Sequence, residues 1–273
     1  MTQVVVSGGF DDLRSTHVRF LQEAARLGPV CLLLWSDEAF RRLEGRAPKF
    51  PEAERCYLLQ ALRYVDQVRV VGDGFSRDTL PGVPSYTPSV WAVTPVEANR
   101  AKAAFCAASG LAYAPIPSAA CAGFPNETPT PPPPRAGRKK VLVTGCYDWF
   151  HSGHVRFFEE VAELGEVYVV VGHDANVRAL KGEGHPLFPQ EERRFLVQAI
   201  RCVVAAMIST GVGWLDAEPE ILRLRPDIYA VNEDGDRPEK RAYCAHHGLE
   251  YRVLRRVPKP GLPARQSTNL RGL

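Results

Sequence analysis

The sequence is short of several features that would narrow its class. It has no Cys-x-x-Cys pair and no cysteine/histidine cluster at metal-ligand spacing; its seven cysteines, at 31, 56, 106, 121, 146, 202 and 244, form an odd, scattered set. That argues against a disulfide scaffold or a bound metal and predicts reduced thiols in a cytoplasmic protein. No stretch approaches the roughly 18 apolar residues that a membrane-spanning helix needs. The opening Met1-Thr2-Gln3-Val4-Val5-Val6 lacks the basic start and long apolar region of a secretory signal, so neither membrane insertion nor export is expected. An excess of charge of one sign is missing too: 34 basic residues stand against 31 acidic ones, with no long basic run. Nucleic acid is therefore not an expected partner, although a local basic site for a small phosphorylated ligand fits this balance.

Proline is plentiful, and six of the 23 fall in one short stretch. Pro125-Asn126-Glu127-Thr128-Pro129-Thr130-Pro131-Pro132-Pro133-Pro134-Arg135 has almost no apolar content and reads as an extended, semi-rigid spacer. It predicts a domain over residues 1–124, a linker over 125–138 and a second domain over 139–273. At 45% hydrophobic and 24% charged, the chain can bury a core in each.

The halves resemble one another. Val4-Val5-Val6-Ser7-Gly8-Gly9-Phe10-Asp11 matches Val141-Leu142-Val143-Thr144-Gly145-Cys146-Tyr147-Asp148 at an offset of 137, and His17-Val18-Arg19-Phe20 matches His154-Val155-Arg156-Phe157. After a one-residue gap Phe50-Pro51 falls on Phe188-Pro189 and Glu54-Arg55 on Glu192-Arg193, which predicts a tandem repeat. Within the second half, Val141–Thr144 and Val167–Val171 read as buried strands and Asp227–Val231 as another. Residues 154–164 place Val155, Phe158, Val161, Ala162 and Leu164 on one helical face, and 191–201 read as a further helix. The expected fold is α/β: two Rossmann-like units, each a parallel sheet with helices on both faces and a ligand crevice at the carboxyl ends of its strands.

Gly145-Cys146-Tyr147-Asp148-Trp149-Phe150-His151-Ser152-Gly153-His154 lies where the first strand of the second half hands over to its helix. A helix N-terminus offers unpaired N–H groups and the positive end of its dipole to phosphate. Two histidines three residues apart can donate to one polyphosphate, with Gly153 admitting its oxygens close to the backbone.

This segment resembles the signature of the cytidylyltransferase-like nucleotidyltransferases, whose members include glycerol-3-phosphate, phosphocholine and phosphoethanolamine cytidylyltransferases and the enzyme that activates heptose phosphate. The resemblance covers most of 139–268 and, more weakly, the first half. It implies His151 and His154 on the triphosphate, Lys181 bridging donor and acceptor, and Arg193, from Glu191-Glu192-Arg193-Arg194, gripping the acceptor phosphate. It further implies a nucleotide site of Gly145, Cys146, Tyr147, Gly153, the loop Asn232, Asp234, Gly235 and Asp236, and the pair Ser267-Thr268. Asp148 matches the signature without a defined role. His173-Asp174 is expected to face the acceptor.

The implied reaction is attack by an acceptor phosphate or phosphonate on the α-phosphorus of a nucleoside triphosphate, with release of pyrophosphate. CTP is the expected donor and ATP the alternative; a phosphorylated alcohol, sugar phosphate or phosphonate is the acceptor, and Mg²⁺ is expected on the phosphates. A nucleotide-binding sensor without catalysis is a further reading, and a monomer with pseudo-dimeric halves or a homodimer the expected assembly. The first half departs from the signature: Arg14 and Thr16 stand for the first histidine and the glycine, and Glu44 falls where Lys181 stands, so it reads as a degenerate copy. In the second half the family's arginine ahead of the Ser-Thr pair has no clear counterpart, with Arg255, Arg256 and Lys259 as candidates.

Overall fold

The computed structural model describes residues 2–82, 87–125 and 137–270, except for the side chains of Thr268 and Asn269. Most of the proline-rich spacer, residues 126–136, lies outside the described residues. Two compact units form, Met1–Gly123 and Phe124–Leu273.

The first unit contains β1 (Val4–Gly8), α1 (Ser15–Ala25), β2 (Val30–Trp35), α2 (Asp37–Glu44), α3 (Glu52–Gln60), β3 (Gln67–Val71), β4 (Val90–Val93), α4 (Arg100–Ala108) and β5 (Ala112–Pro115). Its strands are all parallel, in the order β3-β2-β1-β4-β5. The second unit contains β6 (Lys140–Gly145), α5 (Ser152–Leu164), β7 (Glu166–Val171), α6 (Asp174–Lys181), α7 (Gln190–Gln198), β8 (Val203–Ile208), α8 (Glu218–Leu224), β9 (Ile228–Asn232), α9 (Pro238–His246) and β10 (Glu250–Leu254). Its sheet, also parallel, runs β10-β9-β6-β7-β8. Read from the opposite edge this is the strand order of the first unit, so each unit is Rossmann-like.

The sequence dictates much of this. Every residue of β2 and β7 is buried, which is why Val30–Trp35 and Val167–Val171 are unbroken apolar runs and not alternating ones: helices cover both faces. On α5 the periodic residues Val155, Phe158 and Val161 are fully buried, each worth roughly 1.5–3 kcal/mol of apolar burial. That helix begins at Ser152, two residues before the expected start, because His151 caps it. β8 and β10 were not anticipated. The first is a short apolar run close behind a helix, where periodicity cannot choose between the two states; the second is a polar edge strand, Glu250-Tyr251-Arg252-Val253-Leu254.

One irregularity positions the site. β6 stays in register with β7 from Lys140 to Gly145, but meets β9 only at Val141↔Ile228 and Leu142↔Tyr229. Beyond Leu142 the two strands diverge, with a hydrogen bond of 2.9 Å between Thr144 Oγ1 and the Tyr229 hydroxyl across the gap. β1 and β4 separate likewise after Val5↔Trp91. These are the points at which strand order reverses, where open α/β sheets bind ligands.

Candidate active site

The gap between β6 and β9 opens into a cavity of about 660 Å³, within the roughly 300–1,000 Å³ usual for small-molecule sites. Its walls include the loop Gly145 to Trp149, His154, Lys181, Asn232, Asp234, Gly235, Arg256 and Ser267. Tyr147 holds the loop in a left-handed turn, φ 53°. Its ring folds back over Gly145, where a Cβ would come within 2.7 Å of it; this is the physical reason for glycine there. The buried Tyr147 hydroxyl has no partner among the described atoms. Asp148 secures the loop by accepting from the backbone N–H groups of Leu187 (2.6 Å) and Phe188 (3.1 Å).

The two signature histidines meet, but they are not equivalent. Their rings stack at 4.0 Å. His151 Nδ1 accepts from the Gly153 N–H (3.1 Å) and His154 Nδ1 from the His151 N–H (3.3 Å), a reciprocal cap on α5. Each neutral ring therefore carries its proton on Nε2. Burial, then Arg256 and Arg265, lowers the His151 pKa to about 3. Burial, then His151, Arg256 and Lys181, holds His154 well below the usual imidazole range. His154 lines the cavity, enclosed by Tyr147 and Phe150. His151 does not: it is 1% exposed, lies behind His154, and its Nε2 has no partner among the described atoms. The expectation that both rings face one open cradle is corrected to one facing ring backed by a buried one. Gly153 is likewise explained from within, since a Cβ there would meet His151 Cε1 at 2.9 Å.

Arg193 is the largest correction. It is wholly buried, donating from Nε to Phe188 O (2.9 Å), from one terminal nitrogen to Cys146 O (2.6 Å), and from the other to Gly172 O (2.8 Å) and Asp174 Oδ1 (2.7 Å). With its donors taken by the ends of β6 and β7, the loop before α7 and the start of α6, it is not part of this cavity's wall and cannot serve as a phosphate fork. Arg55 makes the matching set in the first unit, to Phe50 O, Gly9 O, Trp35 O and Asp37. The charged run that suggested a substrate contact carries a scaffold residue. The neighbouring Asp174 is held by it, and His173 caps α6 by accepting from Asn176 N–H (3.2 Å); neither is part of this cavity's wall.

Other expected residues divide. Lys181 is exposed at the end of α6 and borders the cavity. Cys146 also borders it, its thiol pKa raised by burial against the pull of Lys181 and Arg193. Asn232 and Gly235 line it, and Asp234 does so while paired with Arg256 at 2.5 Å. Asp236 is not part of the wall, because its carboxylate is engaged by Arg241 of α9 and accepts from the Tyr251 hydroxyl of β10 (3.1 Å). Ser267 opens a short 3-10 turn and donates to Trp149 O at 3.2 Å; the Thr268 side chain lies outside the described residues. Of the candidates for the displaced arginine, Arg256 borders both this cavity and an adjoining one of about 200 Å³, whereas Arg255 and Lys259 border the smaller alone.

Two ionisable wall residues, Lys240 and His185, escaped the sequence reading. Lys240 is partly buried, donates to Gly235 O at 3.1 Å, and has its pKa lowered by burial and by Arg237. His185 lies 3.5 Å from Asp148. Lys240 sits in Pro238-Glu239-Lys240-Arg241, which has the composition of a solvated helix start, and carries no signal of its placement.

A family profile described as cytidylyltransferase-like matches residues 142–234. An FAD synthase of Methanocella paludicola is 31% identical over 135 residues, which make up 48% of this chain and 93% of that protein. An FAD synthase of Thermococcus kodakarensis is 37% identical over 123 residues, 43% of this chain and 80% of that protein. The bifunctional protein HldE of Nitratiruptor is 33% identical over 102 residues, 37% of this chain, of which the match spans only 21% of that protein's length. Among solved structures, the lipopolysaccharide core biosynthesis protein from Thermoplasma volcanium aligns with 45% of this chain and 99% of its own, at 25% identity and a TM-score of 0.39.

Proposed function

Because the chain belongs to the cytidylyltransferase-like family of nucleotidyltransferases, we propose that its second unit transfers an adenylyl group from ATP to the phosphate of a small acceptor. The observation that carries this reading is the neutral, Nε2-protonated His154 on the wall of a cavity whose other walls bring Lys181, Lys240 and Arg256. Such a wall neutralises converging phosphates without supplying a protein nucleophile, and none is required when the acceptor is already an anion.

An acceptor phosphate oxygen attacks the α-phosphorus; that P–O bond forms, the bond to the bridging oxygen breaks, and pyrophosphate departs with the electron pair. His154 donates to a phosphate oxygen as charge builds. His151 fixes the tautomer of His154 through its backbone N–H and the start of α5 through Nδ1. The N-terminus of α5 with Arg256 and Arg265 lines the smaller cavity and suits the leaving phosphates. Magnesium would arrive on the triphosphate. Among the described residues no group of three histidine, cysteine, aspartate or glutamate side chains could hold a metal, Asp148 is committed to backbone amides and Asp234 to Arg256, so phosphates and water would supply its ligands and charge neutralisation its chemistry.

ATP is preferred to the CTP expected from the signature because the relatives covered over most of their length are FAD synthases, whose product contains an adenylyl group. The test is pyrophosphate release with ATP and CTP in parallel, against flavin mononucleotide, glycerol 3-phosphate and a sugar phosphate, with products identified by mass. ATP-dependent release with one acceptor is expected. Turnover with CTP alone would overturn the donor, and nucleotide binding without release for any acceptor would leave a sensor.

A further inference from the structure

The first unit has a cavity of its own, about 430 Å³, at the carboxyl end of β1 where β4 has diverged. Six wall residues, Ser7, Gly8, Gly9, Phe10, His17 and Phe20, lie 137 positions before Thr144, Gly145, Cys146, Tyr147, His154 and Phe157 of the larger cavity. The local geometry agrees. Phe10 is left-handed at φ 44° and its ring lies where a Cβ on Gly8 would meet it at 2.9 Å. His17 Nδ1 accepts from the Arg14 N–H at 3.1 Å, which leaves Nε2 as a donor, and its ring lies 5.7 Å from that of Phe10.

Charge is what differs. Among the described residues lining this cavity none is lysine or arginine, and Glu97, hydrogen-bonded by Thr94 at 2.9 Å, adds a carboxylate. Glu44, at the position of Lys181, is paired with Arg77 at 2.9 Å. The nearby cations are engaged: Arg14 with Asp12 at 2.8 Å, and Arg19 with Glu23 at 3.1 Å and with the Ala120 carbonyl. Thr16 stands in place of Gly153 at the start of α1. A phosphate here would meet a carboxylate and no cation of the wall, whereas a flat, uncharged ring would find Phe10, Phe20 and a single imidazole donor.

We propose that the first unit holds a second binding site, one that takes an unphosphorylated nucleoside and rejects the corresponding nucleotides. The class of ligand rests on reading the second unit's cavity as a nucleotide site, since six wall positions are common to the two cavities; the rings of Phe10 and Phe20 suit the heterocycle, and the loss of cations removes the phosphates. The smaller volume, about 430 against about 660 Å³, accords with a ligand lacking the triphosphate.

The test is calorimetric titration of the full chain with adenosine, guanosine, cytidine and uridine, and with the 5′-monophosphate of whichever binds. One nucleoside is expected to bind, with affinity reduced at least about ten-fold in His17→Ala and unchanged in His154→Ala, and the monophosphate at least about ten-fold weaker at this site. Glu97 is exposed, so Glu97→Arg keeps the fold; it should recover most of the monophosphate's deficit while leaving the nucleoside's affinity in place. Absence of nucleoside binding, binding abolished by His154→Ala but not by His17→Ala, or a monophosphate indifferent to Glu97→Arg would overturn the proposal. Nucleoside binding without pyrophosphate release under any acceptor would strike only the catalytic reading; release without nucleoside binding would strike only this one.

Discussion

His154 presents a single donor, Nε2, because burial keeps its ring neutral and the His151 N–H occupies its Nδ1, while His151 Nδ1 accepts from the Gly153 N–H. Capping and donation separate by mutation. His151→Asn keeps an N-cap acceptor and should preserve stability to denaturant while lowering turnover; His154→Ala, which removes the facing donor, should reduce pyrophosphate release by about 100-fold or more. The same pair gives stability a pH dependence. With folded pKa values depressed, to about 3 for His151, and an unfolded value near 6.5, the unfolded chain binds more protons in the interval between. Their contribution is complete above about pH 6.5 and is lost as pH falls toward 3, each ring contributing a slope of up to about 1.4 kcal/mol per pH unit. Urea unfolding between pH 7 and 5 should show midpoints falling with pH, less steeply in His151→Asn.

The element that presents these residues is a strand-turn-helix whose glycines are demanded by neighbouring rings. In Gly145→Ala the added methyl would meet the Tyr147 ring and push it toward His154, 5.2 Å away; turnover should fall with little change in far-UV circular dichroism, and a variant with unaltered kcat/KM would show that the ring yields. This part was legible in the sequence because a buried strand, a glycine turn and an amphipathic helix each leave a local pattern, and Gly145, His154, Asn232 and Ser267 do reach one cavity. Burial of an arginine leaves no such mark. Arg193 stands in a run of four charges, and only the carbonyls that strand ends and a loop bring to it from Cys146, Gly172 and Phe188 reveal a scaffold. Lys240 and Asp236, four residues apart, exchange the roles their neighbourhood suggests, since Lys240 lines the cavity while Arg241 and Tyr251 engage the Asp236 carboxylate.

At the level of the molecule, each unit closes around its own buried arginine. Arg55→Ala and Arg193→Ala should each destabilise the unit that contains it by roughly 3–5 kcal/mol, the cost of leaving a carboxylate and several carbonyls without their partner. Hydrogen exchange resolved by peptide should place the loss in residues 2–82 for the first and 137–270 for the second, with only the second lowering pyrophosphate release directly. The two sides of the larger cavity are fastened differently. One is knotted by the 0%-exposed Arg193; the other includes Arg256 and Gln266 of the segment 255–266, which has no helix or strand and is tied in part by the partly exposed pairs Arg256–Asp234 and Lys259–Glu159, each worth no more than about 1 kcal/mol. Such a wall is a latch that dissolved ions can undo. The dwell time of bound nucleotide, followed by stopped flow, should therefore shorten as potassium chloride is raised, at concentrations where the unfolding midpoint has not begun to move.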